Sequence, residues 1–526
     1  MMDAARSMMC RTTVEPKRRR GVREVREPVK VVAEQVQEWT RSKLPSIPPE
    51  DAGEDQKWSA LGDALRDGGC TELFHDLGAL QDAVASFNRA GNDNPDFWTE
   101  LLPFACEQAL RYTELFPEPI PIVDVASASQ GTASRIVEWT QVQCLCIQCN
   151  AFLCSWPERM SQNCHCREGD LPSINLDEMH CARGNRGPQA AKCEMFLHYL
   201  AKQYRRLQEG DTLDSLKVRF VRRKVEPQQS AGGEAVAAGA AAAAAGVHAE
   251  PDWHGSAKRL GRVTVRPLRE SIDAAKDMLR ADFANESIGG GSIAYGCVQE
   301  EIMFACHPEL NCARLVFTPM LKEEAFILCG AEQFARPDGY AFGLRCGGPY
   351  KDETATEGDQ LRAFVTAIDA MDYRGRHAHI QYQPHIVQRE MLKAFAGFKL
   401  PPEVTERAGC SPPTTLATGN WGAGAFEGDG RLKALIQWAA ASEAGLDMHY
   451  FPFDDQYLAE KLGPVVAKAV AAEITVGALC QWLLDEEGMR ATLDTVRSDH
   501  DGKRDVLTAF EKYVEKVEED GGFDSL

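Results

Sequence analysis

Gln299, Glu300 and Glu301 place an amide and two adjacent carboxylates just after a glycine-rich stretch, SIGGGSIAYGCVQEEIMF, residues 287–304. Carboxyl pairs do acid–base chemistry when burial and mutual repulsion raise one pKa, so that a proton can be handed to a departing oxygen. Acidic residues in a first helical turn also favour the helix dipole, and that structural use is the commoner one. Gly289, Gly290 and Gly291 allow positive φ and close backbone approach, leaving N–H groups pointing into a cavity. A second loop of this kind, GNWGAGAF at 419–426, precedes a helical pattern whose N-terminus would favour a phosphate. Neither loop continues into Gly-Lys-Ser/Thr, so neither is a Walker A loop.

These residues need elements to hold them. From about 257 onwards strand and helix patterns alternate, with RVTVRPL, EAFILCGA, AFVTAIDAM and DMHYFPF reading as strands. VQEEIMFACH, HIVQREMLKAFAGF and GDGRLKALIQWAAASEAG read as helices between them, the last with Leu432, Leu435, Ile436, Ala439 and Ala440 on one face. The alternation predicts an α/β domain with a mixed sheet, and both glycine loops fall where such sheets collect ligands, outside the strand ends. Residues 56–225 read as a helical domain. SRIVEWTQVQCLCIQCNAFLCSW forms one long buried helix with Ile136, Val137, Val142, Leu145, Phe152 and Leu153 in the core, and KCEMFLHYLAKQYRRL forms another. Residues 226–252 are a low-complexity Ala/Gly linker or insertion expected to stay out of the core. Residues 1–55 read as a disordered, basic N-terminal tail, with KRRR either a nuclear import signal or simply solvated charge.

A net charge of −20 argues against nonspecific binding to duplex nucleic acid. It does not bar a polyanion held by backbone N–H groups, which carry no formal charge. Hydrophobic residues at 44% and charged residues at 26% are the balance of a globular protein, and no apolar run approaches the twenty residues a membrane span needs. Eighteen cysteines without a secretory leader point to reduced thiols in a cytosolic or nuclear setting. Cys144, Cys146, Cys149, Cys164, His165, Cys166, His180 and Cys181 could be arranged as a zinc site. Their spacing matches no established finger, so buried thiols and a surface loop are expected instead, with no metal.

The segments LRADFANESIGGG and GCVQEEI, then HPEL, GAEQF, AIDA, LATGNWGAGAFEGDGRLKALIQWAAA and YFPFDD, run in that order along the chain. NAFLC and LPSIN stand in the helical half. Over roughly 130–490 this set resembles the poly(ADP-ribose) glycohydrolases of the eukaryotic type, which carry a helical accessory domain. The resemblance implies a macrodomain-like catalytic fold over 253–526: a mixed sheet flanked by helices and preceded by an all-helical accessory domain. It implies hydrolysis of ribose–ribose bonds, with Glu301 as the catalytic glutamate and Glu300 holding ribose hydroxyls. Asn285 would contact the terminal ribose, and Gly289, Gly290 and Gly291 would lie against the diphosphate. Tyr340 and Phe453 would frame the adenine and its ribose. Asn420 and Phe426 would serve the diphosphate and the terminal ribose pocket, and Gln299 and Gly424 complete the substrate-binding set. Asp273 stands where the family has a glutamate facing the adenine amino group. The segment AFGLRCGGPYKDETATEGDQ and the 226–252 insertion depart from the family pattern.

No cofactor is expected. The implied partners are poly(ADP-ribose), ADP-ribose and poly(ADP-ribosyl)ated proteins, met by a nuclear or cytoplasmic monomer in the response to DNA damage, without duplex nucleic acid or membrane. A macrodomain that reads ADP-ribose without cleaving it is the alternative, but such a reader has no need of two carboxylates against an anion. A metal-dependent ADP-ribosylhydrolase would need a carboxylate-rich magnesium site, which the sequence does not display.

Overall fold

The computed structural model describes residues 37–38, 54–67, 77–90, 93–120, 122–123, 136–156, 171–181, 186–226, 248–375, 378–485 and 505–519, together with 487, 489 and 493. The basic tail through KRRR, the Ala/Gly run at 227–247, and Cys164, His165 and Cys166 lie outside these residues.

Thirteen strands follow one another along the described chain: β1 (Ile136–Thr140), β2 (Lys217–Glu226), β3 (His248–Ala249), β4 (Val263–Val265), β5 (Leu279–Asp282), β6 (Glu324–Cys329), β7 (Ala335–Asp338), β8 (Arg345–Pro349), β9 (Thr356–Glu357), β10 (Gln360–Leu361), β11 (Phe364–Ala367), β12 (Thr415–Gly419) and β13 (Asp447–Phe451). The main sheet runs β1-β2-β6-β11-β5-β12-β13-β4, with β3 beside β2. Its first four strands pair antiparallel. From β11 through β5, β12 and β13 to β4 every pairing is parallel. The expected mixed sheet with flanking helices is therefore present.

Both faces are covered, and the strand period of two sorts the side chains between them. Along β6, Phe326 and Leu328 enter a core shared with Leu145, Ile147, Leu197 and Phe304, whereas Ala325, Ile327 and Cys329 enter one shared with Met391, Phe395 and Leu479. The first core is built largely by the helical half, through the helices Gln141–Phe152 and Gly187–Gln208. The second is built by Pro384–Phe398, Gly430–Ala444, Gln456–Ala471, Val476–Leu484 and Val506–Glu519. Leu432, Leu435, Ile436, Ala439 and Ala440 are all buried, as expected from their spacing.

Two readings change. SRIVEWTQ… is not one helix: Ile136–Thr140 is a strand and the helix starts only at Gln141. The β-branched Ile136 and Val137 suit a strand. Thr140 then stops it by capping, its backbone N–H donating to Gln143 Oε1 and its hydroxyl accepting from the Gln143 N–H. The mainly helical half therefore lends two strands, β1 and β2, to the sheet of the other. At the 226–252 segment, Glu226 ends β2, and His248–Ala249 pair with Val225 and Glu226. Glu250 is buried and accepts from the indole N–H of Trp253 at 2.8 Å. The ends of that segment thus belong to the fold.

Candidate active site

Parallel neighbours deliver their carboxyl ends to one edge of the sheet. β5 ends at Asp282 and opens into the DFAN and triple-glycine loop, and β11 ends beside it, Ala367 opposite Asp282. β12 ends at Gly419 opposite Phe451 of β13, releasing the 420–428 loop and the Pro452–Phe453 turn side by side. This register gathers the DFAN and glycine loop, the 420–428 loop and the Pro452–Phe453 turn at one edge, and Tyr340 comes from the separate β7–β8 hairpin.

Glu300 and Glu301 open the helix Gln299–Cys306 and are both buried. Glu300 accepts from the N–H of Gly289 at 2.7 Å and of Asn285 at 2.9 Å. Glu301 accepts from the N–H of Gly291 at 3.1 Å and of Val298 at 3.0 Å. The last contact is the reach of an N3 glutamate back to the start of its helix, so the capping use of this residue is present as well. The glycines follow from the carboxylates. A Cβ on Gly290, which has φ +43°, would stand 2.6 Å from a Glu300 oxygen and 2.7 Å from a Glu301 oxygen. One on Gly296 would meet the Glu301 side chain at 2.5 Å. The Gly290 N–H donates to Ser287 O. The N–H groups of Gly289 and Gly291 therefore hold the glutamates, and that of Gly290 holds the turn.

The loop is gripped from behind by two buried cations. Arg314 donates to the carbonyls of Ile288 at 2.8 Å and Gly290 at 3.1 Å, and to Ser173 O of the helical half at 2.8 Å. Lys192, from the helix Gly187–Gln208, donates to the carbonyls of Ala294 at 2.5 Å, Gly296 at 2.7 Å and Gly291 at 3.2 Å. Burial pulls its pKa down to about 8, while the nearby charge of Glu301 opposes the fall. Neither cation stands out from the sequence, because a lysine amid KCEMFLHYL reads as an ordinary helix residue.

Electrostatically the pair is a trio. Asp282 is fully buried, and neither carboxylate oxygen has a hydrogen-bond partner. Burial, and then the charge of Glu301, raise its pKa well above the carboxylate range. Glu300 is raised well above that range too, by burial first, then Asp282, then Glu301, against the pull of the Asn285 and Gly289 N–H groups. Asp282 and Glu300 therefore both hold their protons more tightly than free carboxyls do, beside Glu301. The sequence reading missed Asp282, although it is the aspartate of the DFAN run itself.

The expected aromatic pair assembles. Tyr340 and Phe453 are 42% and 44% exposed, and their ring centroids lie 5.1 Å apart with planes at 50°. Large exposed rings placed together are available to a flat ligand. Burial at the hydroxyl end, and then the Glu301 charge, raise the Tyr340 pKa, and the Gln299 N–H meets that hydroxyl. The aromatic pair thus stands next to the carboxylates. Phe453 holds φ +55°, a strained setting for a phenylalanine that orients its ring. Asp273 lies on the same side: its charge acts on Tyr340, and Arg269 beside it donates from its backbone to Phe453 O. Its carboxylate accepts from the Ser271 hydroxyl at 2.8 Å.

Other residues expected to meet the ligand also make internal contacts. Gln299 accepts from the Phe283 N–H at 2.8 Å and donates to Ala281 O at 3.1 Å, fastening the helix start to β5. Asn285 accepts from the Ser287 N–H at 3.0 Å. Asn420 donates to Pro452 O and accepts from the Tyr450 hydroxyl, both at 2.9 Å, tying the two loops together. Phe426 is half-buried under the Arg374 guanidinium, 5.5 Å from its ring centroid. At Gly424, Ala425 and Phe426 the backbone N–H groups donate to no acceptor among the described residues, and a Cβ on Gly424 would meet nothing within 4 Å. The helix behind is already capped, Asp429 accepting from the Arg431 N–H at 2.9 Å. The 424–426 loop, not that helix end, offers donors to an anion.

In the cysteine-rich segment, Cys144, Cys146, Cys149 and Cys181 are buried free thiols. His180 is buried against Phe152, its pKa pushed down to about 3 by burial.

Comparison with known proteins agrees with this arrangement. Residues 90–222 match the helical-domain model, and residues 250–460 the macro-domain-fold model, of poly(ADP-ribose) glycohydrolase. Among relatives, "Probable poly(ADP-ribose) glycohydrolase 2" of Arabidopsis thaliana is 31% identical over 278 residues, covering 46% of this chain and 52% of the relative. "Poly(ADP-ribose) glycohydrolase 1" of the same plant is 30% identical, covering 41% of this chain and 50% of the relative. "Poly(ADP-ribose) glycohydrolase 1" of Caenorhabditis elegans is 32% identical over 212 residues, covering 38% and 26%. The chain spans about half the length of the plant relatives and less of the nematode one. The two family models meet in one continuous structure and together match more than half of its 526 residues. The chain belongs to the poly(ADP-ribose) glycohydrolase family.

Proposed function

We propose that the chain hydrolyses the ribose–ribose O-glycosidic bonds of poly(ADP-ribose), releasing ADP-ribose, with Glu301 as general acid and then general base. The observation that carries this reading is the buried carboxyl trio beside an open aromatic pair. Adenine stacks at Tyr340 and Phe453, and the diphosphate takes N–H donors from 424–426, which are uncharged and so are compatible with a net charge of −20. That places the distal ribose towards Glu300 and Glu301. As the glycosidic C–O bond breaks through an oxocarbenium-like state, Glu301 gives its proton to the departing ribose oxygen. Water then attacks the sugar carbon and returns a proton to the Glu301 carboxylate. Each turnover consumes one water and leaves the enzyme as it began. Glu300, held by two backbone N–H groups, orients the ribose hydroxyls.

A reader that binds ADP-ribose without cleaving it is the second reading. It leaves unexplained why three carboxyls are buried together, an arrangement that costs stability and repels an anionic ligand. Incubating the purified chain with poly(ADP-ribose) and following free ADP-ribose decides between them. Release supports hydrolysis, and tight binding without release supports the reader.

A further inference from the structure

Away from the carboxyl trio, three metal-ligating side chains of different chemistry converge between the helical half and the β7–β8 hairpin. Glu194 and His198 stand four residues apart on one face of the Gly187–Gln208 helix. Cys346 faces them from β8. One carboxylate oxygen, one imidazole nitrogen and the thiol sulfur lie within 4.8 Å of one another, and among the described residues no other such group is found. His198 is buried against Phe87, and its Nε2 has no hydrogen-bond partner. An imidazole nitrogen shut away from water without a partner calls for a ligand.

We propose that Glu194, His198 and Cys346 bind a divalent, borderline-soft transition ion of the zinc type. The mixed O, N and S donors suit such an ion and not magnesium or calcium, which prefer all-oxygen shells. Tetrahedral bonds of about 2.0–2.3 Å put donors roughly 3.3–3.8 Å apart, so the three, now within 4.8 Å of one another, would draw in around the ion, with water in the fourth position. The unpartnered Nε2 of His198 is the nitrogen that a metal ion would use. Burial, and then the Glu194 charge, push the Cys346 thiol up to about 12, so binding must release a proton. Burial raises the pKa of Glu194, opposed by the Ser86 hydroxyl and then the Arg89 charge, and the ion would compete with both groups.

The position gives the ion a structural effect. Cys346 pairs with Pro337 across the hairpin that carries Tyr340, and Lys192 lies on the same helix as the other two ligands. An ion here clamps the adenine-facing hairpin to the helix that grips the catalytic loop, and takes no part in the chemistry.

Cobalt(II) titration of the reduced, chelator-free full chain reads the site directly. The native chain should bind close to one equivalent with a thiolate-to-cobalt charge-transfer band in the near ultraviolet, displaced by zinc. Cys346→Ser should abolish the band. Glu194→Gln, at a partly accessible ligand, should keep the fold and weaken binding by about tenfold or more. No band in the native chain, or an undiminished band in Cys346→Ser, which would place the thiolate at another cysteine, overturns the proposal.

Discussion

Asp282 shows what a single buried group does to this protein. Its carboxyl keeps its proton to higher pH in the folded chain than in the unfolded one, because burial and then the Glu301 charge raise its folded pKa. The unfolded state therefore binds fewer protons, and stability falls as pH rises above the ordinary aspartate value of about 3.9. Asp282→Asn removes this titration. Its melting temperature should exceed that of the native chain at pH 7.5, and the gain should shrink as pH falls towards 4. A gain that grew on acidification would mean that Asp282 is ionised in the fold. The two aromatics give a second test. Tyr340→Ala and Phe453→Ala should each weaken ADP-ribose binding, since stacking on a base is worth on the order of 1–3 kcal/mol. Calorimetric affinities unchanged in both would place adenine elsewhere. These residues differ in how well the sequence displayed them. The pairing of Tyr340 with Phe453, more than a hundred positions apart, was legible through the family resemblance. Asp282 was not singled out, because its importance lies in having no partner, which only packing reveals.

The triple-glycine loop is held as an element, not residue by residue. Its glycines admit the glutamates, and Lys192 and Arg314 bind the outward carbonyls. Lys192→Met keeps the length of the side chain but leaves the Ala294 and Gly296 carbonyls without their donor, at about 1–3 kcal/mol for a buried group left unpaired, while Gly291 O keeps the Ala294 and Gly296 N–H groups. The expected outcome is a fall in kcat larger than any change in ADP-ribose affinity, with Lys192→Arg restoring part of the rate. Loss of ADP-ribose binding in step with kcat would show that Lys192 holds the ligand site instead. Strand and helix types were largely readable from periodicity, and the exceptions have physical reasons. β1 was hidden in an apolar run that continues straight into a helix, with one threonine marking the boundary. β5 and β12, LRAD and TLATG, are short and buried on both faces, so they lack the alternation that marks a half-exposed strand. That the Gly289 and Gly291 N–H groups meet the glutamates is not legible either, because sequence cannot tell which acceptor a loop amide will find.

For the molecule as a whole, the helical half is not an appendage. It supplies β1, β2, Lys192, the Ser173 carbonyl and one covering layer of the sheet, so cutting between the halves would expose a large apolar face. The low-complexity run is a different matter. Val225 and Glu226 lie alongside His248 and Ala249, so the points where the chain leaves and rejoins the fold are adjacent. Replacing 229–245 by a linker of about six Gly/Ser residues should leave hydrolysis within a few-fold and the melting temperature nearly unchanged, since loop-closure entropy varies slowly with length. Insoluble protein or lost activity would mean that this run supports the fold. Its composition is what suggests that it is dispensable, and where it ends is set by β3, a two-residue pairing too short to carry a sequence signal.

The assignment of Glu301 to proton transfer rests on its place in the trio and can be tested by comparing two amide variants. Both glutamates accept two backbone N–H bonds, so a glutamine at either position turns one N–H₂ towards a donor and strains the loop equally. That shared cost cancels in the comparison, leaving chemistry as the difference. With ADP-ribose affinity measured by calorimetry and polymer turnover by released ADP-ribose, Glu301→Gln should retain affinity and lose about 10²–10⁴-fold in rate. Glu300→Gln should lose affinity along with rate. Near-native turnover by Glu301→Gln beside an inactive Glu300→Gln would reverse the two roles, and near-native turnover by both would place the chemistry outside this loop.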